Sequence, residues 1–237
     1  MQPSHRSGYY RWDHHWGKPD CPLCPFFNLV ISHDVWLLTV KQIKGNATVV
    51  KDNPAGVAFR ALFPTKNQFT LTPSGPVKGV VVAQTNKGGT GVSYNIKMEN
   101  LPDEGGPFVY HIHQEPVPSD GNCTDTEAHL DPFERGETPP CDPDLPQTCQ
   151  VGDLAGKHGA IITSSGSTTF TESYTDDFTA TSHGQSFIGN LSVVLHFANL
   201  TRIACANFKM MKLTQNMMSS LDDLLNMGDD GNVTLST

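Results

Sequence analysis

The stretch YHIHQEPVPSDGNCTDTEAHLDP, Tyr110 to Pro132, gathers three histidines around one cysteine. His111 and His113 alternate, Cys123 follows, and His129 stands just before Asp131-Pro132. In an extended strand residues i and i+2 point to one face, about 7 Å apart along the chain. FVYHIH reads as such a strand, so His111 and His113 present two imidazoles to one side. His196 lies in another strongly β-like run, VVLHF. His129 falls in a loop, where the following Asp-Pro can fix its direction. Three or four imidazoles on one centre suit copper, zinc, iron or nickel. A His-x-His pair alone more often lines a polar face.

Outward from this stretch the chain reads as short strands. KGVVVAQT, VSYNIKME, GAIIT, STTFTESY, NLSVVLHF and RIACANF are rich in β-branched or aromatic residues and are punctuated by Gly, Pro, Asn and Asp. In VSYNIKM, Val92, Tyr94, Ile96 and Met98 alternate with polar residues, as in a strand with one wet face. No helical pattern of similar strength intervenes, so the sheet should be antiparallel, in a sandwich or barrel. Residues 115–156 form a long interruption rich in Pro, Asp and Cys, and such loops are usually functional. Three regions follow: an irregular extension over 1–45, a β domain over 46–208 and a tail over 209–237. The tail's KMMKLTQNMMSSLDDLLNMG places apolar residues on one helical face and is expected to dock on the domain or fray. Its methionines could alternatively hold Cu(I).

Composition narrows the class. Of 237 residues, 37% are hydrophobic and 17% charged, and the 21 glycines and 17 prolines favour strands and turns over long helices. A formal net charge of −8 argues against nucleic acid as a partner. No run is long enough to cross a bilayer, and the tail carries no lipid-anchor pattern. Six cysteines and five Asn-x-Ser/Thr sequons, at Asn46, Asn122, Asn190, Asn199 and Asn232, point to an oxidising secretory compartment, hence to a secreted or cell-surface protein. The N-terminal residues lack the apolar core of a signal peptide, which suggests a misassigned first exon. Cys21 and Cys24 form a Cys-x-x-Cys without a second pair at zinc-finger spacing. They read as a local disulfide or free thiols, with a metal or redox pair as the alternative.

Two metal-binding β families use His-x-His. In the cupins a glycine stands six residues before the first His, as Gly105 does, but a Glu should follow the second His after three or four intervening residues. Those positions hold Val117 and Pro118, with Glu115 too early. The larger pattern of YHIH, GNC, HLDP, QVGDLAGKHG, GNLSVVLHFAN and RIACANF resembles the copper/zinc superoxide dismutase superfamily in order and spacing, over about residues 52–208. PVPSDGNC and GDLAGKHG are similar to the fungal extracellular copper-only members. The resemblance implies an all-β Greek-key sandwich or barrel. It also implies one copper per chain on His111, His113, His129 and His196, and disproportionation of superoxide to O2 and H2O2. Cys123 and Cys205 match the family disulfide, which leaves Cys141 and Cys149 as a second, loop-internal bridge. Arg202 matches the arginine that attracts the anion, and His129 the histidine that carries a proton.

Departures from the family carry their own expectations. Bimetallic members hold zinc with additional histidines and an aspartate. Asp153 matches that aspartate, but the position three before it is Gln150, and no histidine lies between His129 and Asp153. Two potential ligands are too few for a closed zinc site, so zinc is not expected. Asp153 is then expected to orient His129, and Gln150 cannot titrate. The electrostatic loop of bimetallic enzymes is missing, since only 202 − 196 = 6 positions separate the last copper His from Arg202, so the site should be open. His158 and His183 lie outside the motif, and His158 is expected to make a turn hydrogen bond. A surface copper-binding or copper-buffering protein with little turnover is the competing reading, and a metal-free wall domain the third.

Overall fold

The computed structural model describes residues 45–64, 75–163 and 169–211. Among the described residues, eight strands fall into two antiparallel sheets. The larger contains β1 (Ala58–Phe63), β2 (Lys78–Thr85), β3 (Val92–Glu99), β5 (Phe170–Asp176) and β8 (Lys209–Met210), in the order β5-β3-β2-β1-β8. The smaller contains β4 (Val109–His113), β6 (Ser192–His196) and β7 (Arg202–Asn207), in the order β4-β6-β7. One short helix, α1 (Leu154–His158), and two 3-10 turns interrupt the long loop after β4.

The period-2 pattern explains which faces meet. On β3, Val92, Tyr94, Ile96 and Met98 are all fully buried, while the residues between them are half-buried. They join Phe59, Val81 and Ala83 from the same sheet with Tyr110, Ile112, Val193, Leu195 and Ala204 from the other in one inter-sheet core. This is an antiparallel β-sandwich, one of the two architectures, sandwich or barrel, that the strand pattern allows.

Three local readings need correction. GAIIT forms no strand: Ile161 makes a single bridge to Phe108 and Ile162 is 76% exposed. β1, AFRALF, is missing from the strands read in the sequence, because Arg60 and two alanines obscure its alternation. β8 lies within the region assigned to the tail and pairs with β1. Cys21, Cys24, Asn232 and most of the Met-rich tail lie outside the described residues.

Candidate metal centre

Register brings the histidines together. On β4, His111 and His113 sit opposite Val194 and Ser192 of β6, and His196 sits opposite Val109. All three therefore occupy the face of the smaller sheet turned away from the inter-sheet core, under the long loop. His129 is carried in by that loop, which makes an isolated bridge from His129 to His113.

A junction of three backbone segments holds the loop in place. Ile112 donates to the Gly152 carbonyl at 2.9 Å, Leu130 to the Ile112 carbonyl at 2.8 Å and Gly152 to the Leu130 carbonyl at 2.8 Å. Each segment carries a site residue beside its junction residue: His111 and His113 beside Ile112, His129 beside Leu130, Asp153 beside Gly152. A Cβ on Gly152 would run into the Ile112 carbonyl and the Leu130 backbone, so this close approach requires glycine.

One ring nitrogen from each of His111, His113, His129 and His196 lies within 4.8 Å of the others. Tautomers follow from the partners. His113 donates through Nδ1 to the Glu127 carbonyl at 2.8 Å, and His196 through Nδ1 to the Leu200 carbonyl at 2.9 Å. A carbonyl can only accept, so both Nε2 atoms carry bare lone pairs. Those two atoms face each other at 3.2 Å with no hydrogen between them, an arrangement that a cation would relieve. His111 Nδ1 is buried with no hydrogen-bond partner, while its Nε2 lies 3.4 Å from Asp153. Burial, reinforced by the neighbouring imidazoles, lowers the His113 pKa to about 3 and pushes His111 lower still. Burial likewise lowers His196 to about 4. The rings stand neutral, as metal ligation requires.

His129 differs from the other three in being only half-buried. Its Nδ1 donates to the side-chain carbonyl of Gln150 at 2.7 Å. The expectation that Asp153 orients His129 is therefore corrected. Asp153 caps α1, accepting from the Gly156 N–H at 2.7 Å, and its other contact is with His111. Gln150 is itself oriented, because its amide nitrogen donates to Asp131 at 3.2 Å. Asp131 in turn accepts from the backbone N–H groups of Arg135, at 2.9 Å, and Gly136, at 2.7 Å. The part played by Asp131 was missed in the sequence. Its place in the HLDP motif was the only available signal.

Arg202 sits opposite His196 across a bulge between β6 and β7. Its guanidinium donates to the carbonyls of Cys123, at 2.8 Å, Thr124, at 2.5 Å, and Glu127. It thus shares the Glu127 carbonyl with His113. Three of its five donors are used in these bonds. The Cys123–Cys205 disulfide fastens the same turn to β7. The Cys141–Cys149 disulfide helps wall a cavity of about 230 Å³ that His111, His129, Gln150, Asp153 and Leu200 also line.

The remaining sequence candidates lie elsewhere. His158 makes a side-chain bond to Asp176 at 2.9 Å and stacks on Tyr174 at 3.9 Å between centroids, so its partner lies across the fold and not within its own turn. His183 is exposed. Asn46, Asn122, Asn190 and Asn199 are all exposed.

No protein-family profile matches the chain. It is 38% identical over 186 residues to a cell-surface Cu-only superoxide dismutase of Arthroderma benhamiae, covering 68% of this chain and 48% of that protein. It is 33% identical over 180 residues to cell-surface Cu-only superoxide dismutase 5 of Candida albicans, covering 75% of this chain and 72% of that protein. The chain belongs to the cell-surface Cu-only superoxide dismutases. The solved Cu(II) structure of Candida albicans superoxide dismutase 5 superimposes on it with a TM-score of 0.55 at 32% identity, over 67% of this chain and 94% of the other. This membership fits the sandwich and the imidazole cluster. The chain spans about half the length of the Arthroderma relative and nearly three quarters of the Candida one.

Proposed function

We propose that this protein is a copper-dependent superoxide dismutase, exposed at the cell surface or secreted, with one copper and no zinc. The observation that supports the reading best is the convergence of four imidazoles, one ring nitrogen of each within 4.8 Å of the others, with the Nε2 atoms of His113 and His196 facing each other at 3.2 Å. Copper held by His111, His113, His129 and His196 would exchange one electron at a time with two superoxide anions, giving O2 from the first and, with two protons, H2O2 from the second.

The chain's own residues supply the rest. Arg202 is permanently charged and stands beside His196, where it offers a local cation to an anionic substrate on a protein of net charge −8. His129 is the most exposed of the four rings and is the one suited to exchange a proton with solvent. Gln150 holds the His129 ring from behind without adding charge. Zinc finds no home beside it, because Gln150 is a neutral amide and Asp153 is engaged with α1 and His111.

The competing reading, copper storage without turnover, draws on Gln150, which cannot supply a proton. Elemental analysis of the full chain matured under oxidising conditions tests the metal assignment. About one copper per chain with essentially no zinc supports it, and one zinc per chain surviving dialysis against a chelator refutes it.

A further inference from the structure

Val80 and Val82 lie on the face of the larger sheet turned away from the inter-sheet core, since their β2 neighbours Val81 and Ala83 are the core members. Their cross-strand neighbours extend that outer face. Leu62, Arg60 and Ala58 of β1 sit on one side, opposite Val80, Val82 and Gln84. Lys97 and Asn95 of β3 sit on the other. An outer face open to water would expose these residues. Instead Val80 is 0% exposed, Val82 2%, Ala58 0% and Arg60 6%. None of Val80, Val82 and Ala58 belongs to the inter-sheet core cluster.

We propose that residues 212–237 cover this face, the apolar stripe of the tail resting on Val80, Val82 and Leu62. Connectivity places the tail there. β8 pairs with β1, with Arg60 opposite Lys209, and Met211 donates to the Ala58 carbonyl at 2.8 Å. The chain therefore reaches Met211 beside the patch. In the tail, Leu213, Met217, Leu221, Leu224 and Leu225 recur at helical spacing. Thirteen residues at that spacing reach about 20 Å, ample to cross β1, β2 and β3 at about 4.8 Å per strand.

Charge complements shape. The patch is flanked by Arg60, Lys78, Lys97 and Lys209, of which Lys97 also reaches Glu99 at 2.9 Å. The tail carries Asp222, Asp223, Asp229 and Asp230 against Lys212 alone. The rival occupant, residues 1–41, balances Asp13, Asp20 and Asp34 with Arg6, Arg11, Lys18 and Lys41, and so offers no such complement. The imidazole cluster belongs to the other sheet, so this docking should govern stability and leave turnover alone.

The test is carbodiimide cross-linking of the full chain, mapped by mass spectrometry, with two variants alongside. The expected links join Lys78, Lys97 or Lys209 to Asp222, Asp223, Asp229 or Asp230. Leu221→Asp with Leu224→Asp should lower Tm by several degrees and raise binding of an apolar dye severalfold, with superoxide turnover per bound copper unchanged. Ser219→Asp, on the opposite side of the stripe, should match the parent. Links from those lysines to Asp13, Asp20 or Asp34 in place of the tail would overturn the proposal, and so would a double variant indistinguishable from the parent in Tm and dye binding.

Discussion

His129 donates its Nδ1 hydrogen to the Gln150 side-chain carbonyl at 2.7 Å, and Asp131 fixes which end of that amide faces the ring. A carboxylate must meet the NH2 end, so the oxygen is left for the imidazole. The ring's direction thus depends on a neutral side chain, with the charge one bond further back. A ligand's hydrogen-bond partner tunes both its orientation and its basicity.

Gln150→Ala removes that partner and should weaken copper affinity by about 10–100-fold. Gln150→Glu keeps an acceptor oxygen for His129 but sets a second carboxylate against Asp131 in place of the amide donor, so its affinity should fall between those of the parent and the alanine variant. Competition with a copper chelator reads both. Equal affinities for the parent and the alanine variant would show that His129 needs no such support.

Gly152→Ala puts a methyl group against the Ile112 carbonyl at the junction of three segments, two of which carry candidate copper ligands. Thermal stability and copper occupancy should fall together, because the same backbone bonds serve both. Loss of stability with full copper occupancy would separate the junction from the site.

Arg202 has two tasks that substitution can divide. Arg202→Lys keeps the charge but cannot reach three carbonyls at once, so Tm should drop while the salt dependence of superoxide turnover persists. Arg202→Glu reverses the local field and should cut turnover severalfold or more at low ionic strength. Identical turnover in all three proteins would remove Arg202 from anion guidance.

The buried pair Lys157 and Asp176, 2.5 Å apart, ties α1 to β5. Burial alone would raise the Asp176 pKa, yet Lys157 and His158 outweigh it and hold the carboxyl well below the usual carboxylate range. A depressed folded-state pKa gives stability that is fully present above the unfolded value of about 4 and is lost as pH falls below it. Thermal melts between pH 7 and pH 3 should show this loss in the parent. Lys157→Met, which strands the carboxylate, should cost roughly 3–5 kcal/mol at pH 7. A variant as stable as the parent there would mean that Asp176 finds another cation.

The Cys123–Cys205 bridge closes a separation of 82 residues and the Cys141–Cys149 bridge one of 8. Loop-closure entropy then gives about 4.5 and about 2.5 kcal/mol respectively. Replacing Cys123 with Ser should therefore lower Tm more than replacing Cys141, and it should also loosen the turn that Arg202 holds.

Much of this was legible in the sequence where one period governs one element. The bounds of β2 and β3 match their quoted runs, because alternation and turn residues agree there. The four histidines and both cysteine pairs were legible only through the order of the motif blocks, since residues 85 apart, such as His111 and His196, carry no local signal of contact. What stayed hidden depended on side-chain direction. Asp153 and Gln150 lie three residues apart in one loop, and only the folded junction decides which of them faces His129 and which caps α1. β1 was obscured for a related reason: its outer face carries Arg60 among apolar residues, a pattern that makes sense only once that face is closed.

The most direct test of the account is superoxide decay measured by pulse radiolysis on copper-loaded, zinc-free full-length protein, with the rate expressed per bound copper. Decay should rise in proportion to copper occupancy and fall as ionic strength screens Arg202. Full copper occupancy with decay no faster than the metal-free protein would contradict it and leave a copper-binding protein in its place.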